Sequence, residues 1–178
     1  MNNATEATGQ SQFLTFLLAD DLYAVSILRI REIIEYDTVT RVPNMPESIR
    51  GVINLRGAVV PVVDLAMRFG LRDSNVTKRT CVIIAEVEVG GERLVMGLMA
   101  DSVNQVIDLP PADIEPPPAF GTRVRVDFLK GLGKLGKKFV LILDLDRALS
   151  DTELFTAAAS ESAPKTPSPK EQAIPAAR

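Results

Sequence analysis

The side chains that most often do chemistry are scarce in this chain of 178 residues. There is no histidine, so the commonest general base and the commonest metal ligand are both missing. The single cysteine, Cys81, heads an apolar run and has no histidine to activate it, so packing accounts for it better than nucleophilic catalysis. Gly131, Gly133 and Gly136 spell G-x-G-x-x-G, with Lys137 and Lys138 next. In a dinucleotide site those glycines open a helix whose N-terminus holds pyrophosphate. Here an apolar, β-like run follows, so a Gly-rich hairpin loop is the better reading. Asp144 and Asp146, two apart, could share one strand face and do acid–base or metal work. They suit a strand running into a helix N-cap equally well. Arg29, Arg31, Arg41, Arg50 and Arg56 cluster in one half, and a small barrel protein that binds oligonucleotides is the alternative they raise. Aromatic residues at 5% and a net charge of −3 supply neither a stacking platform nor a basic field for nucleic acid. Recognition fits these residues better than catalysis.

The elements that must carry them are read from apolar spacing and turn residues. Ile49 to Phe69 holds two apolar runs, Val52–Leu55 and Ala58–Val63, joined by Arg56-Gly57. That is a hairpin in which Gly57 supplies positive φ and Arg56 is held out at the tip. Phe13–Leu18 and Leu22–Val25 predict another hairpin across Ala19-Asp20-Asp21. A helical turn over Ser26–Arg29 then leads into a strand from Ile30 to Tyr36. Thr80–Val89 and Arg93–Met99 pair across Gly90-Gly91, Asn104–Leu109 is a strand, and the five prolines of Pro110–Pro118 make an extended connection. Leu65–Gly70 reads as a short helix, Phe139–Leu145 as a strand, and Leu145–Leu154 as a closing helix.

The order conceals a repeat. Stepping forward from Ile49 against Leu129 without a gap, Gly51 meets Gly131, Val60 meets Val140, Asp64 meets Asp144 and Leu65 meets Leu145. Earlier, Glu32-Ile33-Ile34-Glu35 lies against Gln105-Val106-Ile107-Asp108. The second half carries an insertion near Ala119–Val126. Two small β subdomains of one topology follow, each closing into a barrel to remove its edge strands. Gly51 and Gly131 recur, as a fold requirement would. Arg56 does not, because its counterpart is Gly136; the fold accepts glycine there, so the arginine has another use. Ile27, Ile30, Ile33 and Val106 exceed what a subdomain of this size need bury, and would floor a groove for an amphipathic helix; packing of all four in the core is the equal alternative.

Composition sets the outer bounds. Hydrophobic residues at 46% and charged residues at 24% suit a soluble globular protein of one or two small domains. One cysteine allows no internal disulfide and favours a reducing cytoplasm. The polar opening MNNATEATGQSQ is not a signal peptide, and no apolar run approaches membrane-spanning length, so direct membrane insertion is not expected. Residues 1–11 and the Ala/Pro/Ser-rich residues 156–178 are expected to be disordered.

Three blocks carry a resemblance. Ile49–Leu65, IRGVINLRGAVVPVVDL, closely resembles the signature of the CheW family of bacterial chemotaxis coupling proteins. Tyr23–Ile34, YAVSILRIREII, and Phe128–Leu149, FLKGLGKLGKKFVLILDLDRAL, are similar to that family too, in the same order. The likeness spans about Gln12 to Phe155, so residues 12–155 are identified as one CheW-like domain. It implies a mainly β fold of two five-stranded SH3-like barrels packed together, with short helices and a C-terminal helix. It also implies no catalysis and no cofactor. Its partners would be the cytoplasmic tips of methyl-accepting chemoreceptors, the regulatory domain of the histidine kinase CheA, and further CheW molecules, in arrays at the membrane. The matching motifs assign Ile27, Ile30, Glu32, Ile33, Arg56 and Val106 to receptor binding. Val42, Met45, Leu71, Cys81 and Val82 fall to kinase binding, and Gly51, Gly57 and Gly131 are structural glycines.

Overall fold

Turn chemistry sets the local pairings. In the computed structural model, Ala19 and Asp20 both have positive φ, as do Arg56 and Gly57, and Gly90 and Gly91. Paired left-handed residues give the turn whose twist matches two antiparallel strands. The described residues are 11–37, 39–71, 75–119 and 124–150. The expected lead-in up to residue 10 and the tail lie outside them. The three turns join β1 (Gln12–Leu18) to β2 (Asp21–Ser26), β4 (Ile49–Leu55) to β5 (Ala58–Asp64), and β6 (Cys81–Val89) to β7 (Glu92–Ala100). A fourth hairpin joins β10 (Leu129–Leu135) to β11 (Lys138–Leu143), with Gly136 at positive φ. A 3-10 turn, Ile27–Arg29, leads into β3 (Ile30–Glu35), and Ser102–Asp108 is β8.

The Pro-rich connection is more structured than its composition predicts. It holds a 3-10 turn at Pro111–Asp113 and a two-residue strand, β9 (Ile114–Glu115), paired with β10. The closing helix is shorter than predicted. It runs Leu145–Ala148, and the Arg147 carbonyl is taken by the Ser150 hydroxyl at 2.9 Å. Its counterpart is Leu65–Arg68. Each helix is started by a matched aspartate: Asp64 accepts from the Met67 amide at 3.1 Å, and Asp144 from the Arg147 amide at 3.2 Å.

The strands form two curled sheets, in the orders β3-β6-β7-β5-β4 and β8-β1-β2-β11-β10-β9. Replacing β3 by β8, β6 and β7 by β1 and β2, and β4 and β5 by β10 and β11 converts the first order into the first five strands of the second, to which β9 is added at the edge. The match holds at the level of register. Val62 pairs with Gly97 and its repeat partner Ile142 with Ala24, both in parallel ladders. Even the bulges agree, one between Ile30 and Glu32 on β3, one where β8 passes Leu14 and Phe16. The repeat is therefore structural, but the second SH3-like barrel is not built from the second half of the chain alone. The N-terminal hairpin β1–β2 completes it.

Glycine marks where strands cross most closely. A Cβ on Gly51 would run into the Thr40 carbonyl, and one on Gly131 would sit 2.7 Å from the Glu115 carbonyl. In the first barrel that crossing segment is a single bridge, Thr40 to Val52; in the second it has become β9. Each barrel has a small core of its own, around Ile53, Val60, Val62, Val82, Ile84 and Met99 in one and around Phe13, Ala24, Ile107, Leu109, Val140 and Ile142 in the other. A larger third core joins them. Through it Phe16, Tyr23, Phe69 and Phe128 form a string of rings with successive centroids 6.2, 6.4 and 5.7 Å apart.

Candidate functional site

The groups that could do chemistry each have an architectural task. Gly131 lies under β9, and Gly136 supplies the turn. A Cβ on Gly133 would meet Leu109 Cδ1 at 2.6 Å inside the second core. Nothing in that motif is left to cradle a phosphate. Asp144 caps a helix, while Asp146 points elsewhere and takes both Arg29 guanidinium nitrogens, at 3.2 and 2.8 Å. Among the described residues there is no group of three or more Cys, Asp or Glu able to hold a metal ion. Burial pushes the Cys81 thiol above its ordinary range, against a smaller opposing pull from a backbone hydrogen bond at Val103. A thiol held protonated is a poor nucleophile.

The arginine cluster is neutralised pair by pair. Arg29 faces Asp146, Arg31 faces Glu86, Arg50 faces buried Asp64 at 3.0 Å, and Arg56 faces Glu32 at 3.4 Å. The Arg31 hydrogen bond, then its charge, holds the Glu86 carboxyl below the ordinary carboxylate range. Four of the five arginines thus carry a carboxylate with them, so this cluster is not a phosphate-binding stripe.

An exposed apolar surface remains, and it follows the strand alternation. On β3, Ile34 turns into the first core while Ile33 faces out, 43% exposed. On β8, Ile107 turns into the second core while Val106 faces out, 46% exposed. These repeat-matched residues hold the same outward position on two edge strands, one in each sheet. Ile27 and Ile30 are half-buried, Ile30 against the shared core, and Leu28 between them is 61% exposed. Arg56 is brought to this group by its contact with Glu32, and its side chain is 81% exposed. Ile27, Ile30, Glu32, Ile33 and Arg56 therefore belong to one region of the first barrel, and Val106 to the other sheet. Arg56 also holds φ +52° where Gly136 holds +63°. The Asn54 side chain steadies that turn by accepting from the Gly57 amide at 2.8 Å.

The residues assigned to kinase binding divide. Val42 is half-buried, and Met45, Leu71 and Cys81 are half-buried against the shared core, so each keeps some surface. Val82 is a correction. It points to the opposite face of β6 from Cys81, is wholly buried in the first core, and has no surface to offer a partner. The sequence reading also missed exposed apolar residues, among them Leu28, Val59 and Phe139. Leu28 was hidden among isoleucines in ILRI. Val59 and Phe139, 46% and 55% exposed, are repeat partners on β5 and β11, and their shared apolar character was the available signal.

Comparison with known proteins gives these features a family. The CheW-like domain model matches residues 12–153. Chemotaxis protein CheW of Klebsiella aerogenes is 38% identical over 151 residues, covering 85% of this chain and 88% of that protein. Protein FrzA of Myxococcus xanthus is 31% identical over 66% of this chain and 71% of its own length. The crystal structure of the scaffolding protein TtCheW from Thermoanaerobacter tengcongensis superposes with a TM-score of 0.71 at 33% identity, over 81% of this chain and 90% of that one.

Proposed function

Because the chain belongs to the CheW-like domain family, we propose that it is a non-catalytic adaptor coupling methyl-accepting chemoreceptors to the histidine kinase CheA. One observation carries the reading: the repeat-matched Ile33 and Val106 face outward on the edge strands of the two sheets, and the strained, exposed Arg56, which the repeat does not require, pairs with Glu32, the chain neighbour of Ile33. An apolar strip with a charged rim suits one face of a receptor helix. Ile27, Ile30, Glu32, Ile33 and Arg56 would form one wall of the groove and Val106 the other. Val42, Met45, Leu71 and Cys81 would meet the kinase regulatory domain, or another copy of the family, away from that groove. Such an adaptor works in the cytoplasm, held at receptor arrays by its partners; among the described residues no helix is long and apolar enough to cross a membrane. Residues 12–155 are the adaptor domain in this reading.

The test is reconstitution. The chain is mixed with receptor-tip fragments and the kinase, and kinase activity is measured as receptor occupancy changes. Wild-type protein is expected to bind both partners and make the kinase receptor-responsive. Arg56→Glu, which sets a like charge against Glu32, is expected to keep kinase binding and lose receptor coupling. Normal coupling by that variant would sink the assignment.

A further inference from the structure

The repeat offers a second contrast between what both barrels need and what only one has. Ile33 pairs with Ile83, and its repeat partner Val106 pairs with Leu14. Five residues on from Ile83 and Leu14, Glu88 and Ala19 therefore occupy matched places near the ends of β6 and β1. Each of these two amides is held by a carboxylate, but the sources differ. Ala19 donates to Asp101 Oδ2 at 2.8 Å, from the segment leading into β8 of its own sheet. Glu88 donates at 2.8 Å to Asp146 Oδ1, which comes from the terminal helix of the other barrel.

Asp146 has further partners. Its two oxygens receive Arg29 Nη1 and Nη2, a two-pronged pair of the kind that fixes orientation as well as distance. Arg29 closes the 3-10 turn Ile27–Arg29. None of that turn's residues is buried, its N-cap is a long bond of 3.4 Å from the Leu28 amide to the Ser26 hydroxyl, and one backbone bond, from the Ile30 amide to the Ile27 carbonyl, closes it. The turn is thus held weakly from within and firmly from outside. At the corresponding places the other half has Ser102 for Arg29 and Ala66 for Asp146, so the barrel fold does not need this clamp.

We infer that Arg29 and Asp146 are positioning residues that fix the Ile27–Arg29 turn against the second barrel and so set how Ile27, Leu28 and Ile30 are presented to a receptor helix. Neither need touch the receptor. This rests on the proposed receptor surface, and it adds a direction to it. The terminal helix, which lies outside that surface, controls the surface's shape.

Two measurements on the full chain test the clamp, and one needs no partner. Arg29→Ala removes the pair, Asp146→Ala removes the pair and the Glu88 acceptor, and Asp146→Asn keeps an acceptor for Glu88 without the charge. In hydrogen exchange, the Ile30 amide, which donates to the Ile27 carbonyl, is expected to exchange about tenfold faster in all three variants, the usual scale for a lost charge-assisted contact. Receptor-tip fragment affinity should fall by about the same factor, while affinity for the kinase regulatory domain stays within about twofold. Unchanged exchange at the turn in Arg29→Ala and Asp146→Asn would overturn the inference. Equal weakening toward both partners would also overturn it, because that is a general structural defect. If the wild-type chain fails to bind the receptor fragment, the receptor reading falls, and the exchange data still decide the clamp.

Discussion

Replacing Arg56 by glycine should make the protein more stable and less useful. Arg56 sits at φ +52°, where a side chain with a Cβ costs about 1–2 kcal/mol. Glycine relieves that cost but gives back about 0.5–1 kcal/mol through its greater freedom in the unfolded chain. The ion pair to Glu32 is worth a few tenths of a kcal/mol at most, since its Arg56 end is 81% exposed and screened by water. The balance is a gain of about 0.5 kcal/mol, or roughly 1–2 °C in melting temperature for a domain of this size. Arg56→Ala separates strain from recognition. It removes the same guanidinium but keeps a Cβ, so it should be about 1 kcal/mol less stable than Arg56→Gly. Urea unfolding of the three proteins measures this, and receptor-fragment binding measures the other half, where both variants should be weak. If Arg56→Gly is no more stable than Arg56→Ala, the strain argument is wrong. If either binds the receptor fragment like wild type, the recognition argument is wrong.

Two other changes probe the fold and its charge. Gly51→Ala should destabilise by about 3 kcal/mol or more, since its Cβ meets the Thr40 backbone at a φ of +153°. Gly131→Ala should cost less, because its φ is ordinary and one of its two close neighbours is the movable Ile114 side chain at 2.8 Å; denaturant midpoints give the order. Glu86 titrates below its ordinary value in the folded protein, so its stabilising effect is present above the unfolded value, about pH 4.3, and is lost as pH falls through the folded one. The melting-temperature difference between wild type and Glu86→Gln should therefore shrink toward zero between about pH 5 and pH 3. A gap that widened on acidification would contradict the Arg31–Glu86 pairing.

What could be read from the sequence was whatever a few adjacent residues decide. Arg56-Gly57 and Gly90-Gly91 announced their hairpins because turn geometry is local. The Gly51/Gly131 and Asp64/Asp144 matches announced the repeat because both barrels impose the same close crossing and the same helix cap. What depends on distant partners was not legible. β9 hides in a proline-rich segment because its two residues become a strand only when β10 lies alongside. The allegiance of β1 and β2 to the second barrel depends on β8 and β11, which follow far along the chain. Val82 looked like a surface residue because alternation fixes that Cys81 and Val82 face opposite ways and leaves open which face is inward. Of the candidate site, the apolar members and Arg56 were legible from surplus and asymmetry, while Leu28 and the Asp146 clamp needed the three-dimensional neighbours.

The place of the N-terminal hairpin has a consequence for how the protein is made. The strands of the first barrel, β3 to β7, are contiguous in the chain and can assemble as soon as they have left the ribosome. β1 and β2 emerge earlier still, yet their sheet neighbours β8 and β11 follow only after the whole first barrel, and β11 is the last strand among the described residues. During synthesis this hairpin must wait with both of its apolar faces unpartnered, Phe13 on the one that later enters the second core and Phe16 and Tyr23 on the one that enters the shared core. Two strands alone are marginal in water, so chain made first is buried last. Closing that long loop should be the slow step of folding, and a chain stalled before β11 is the form most exposed to aggregation.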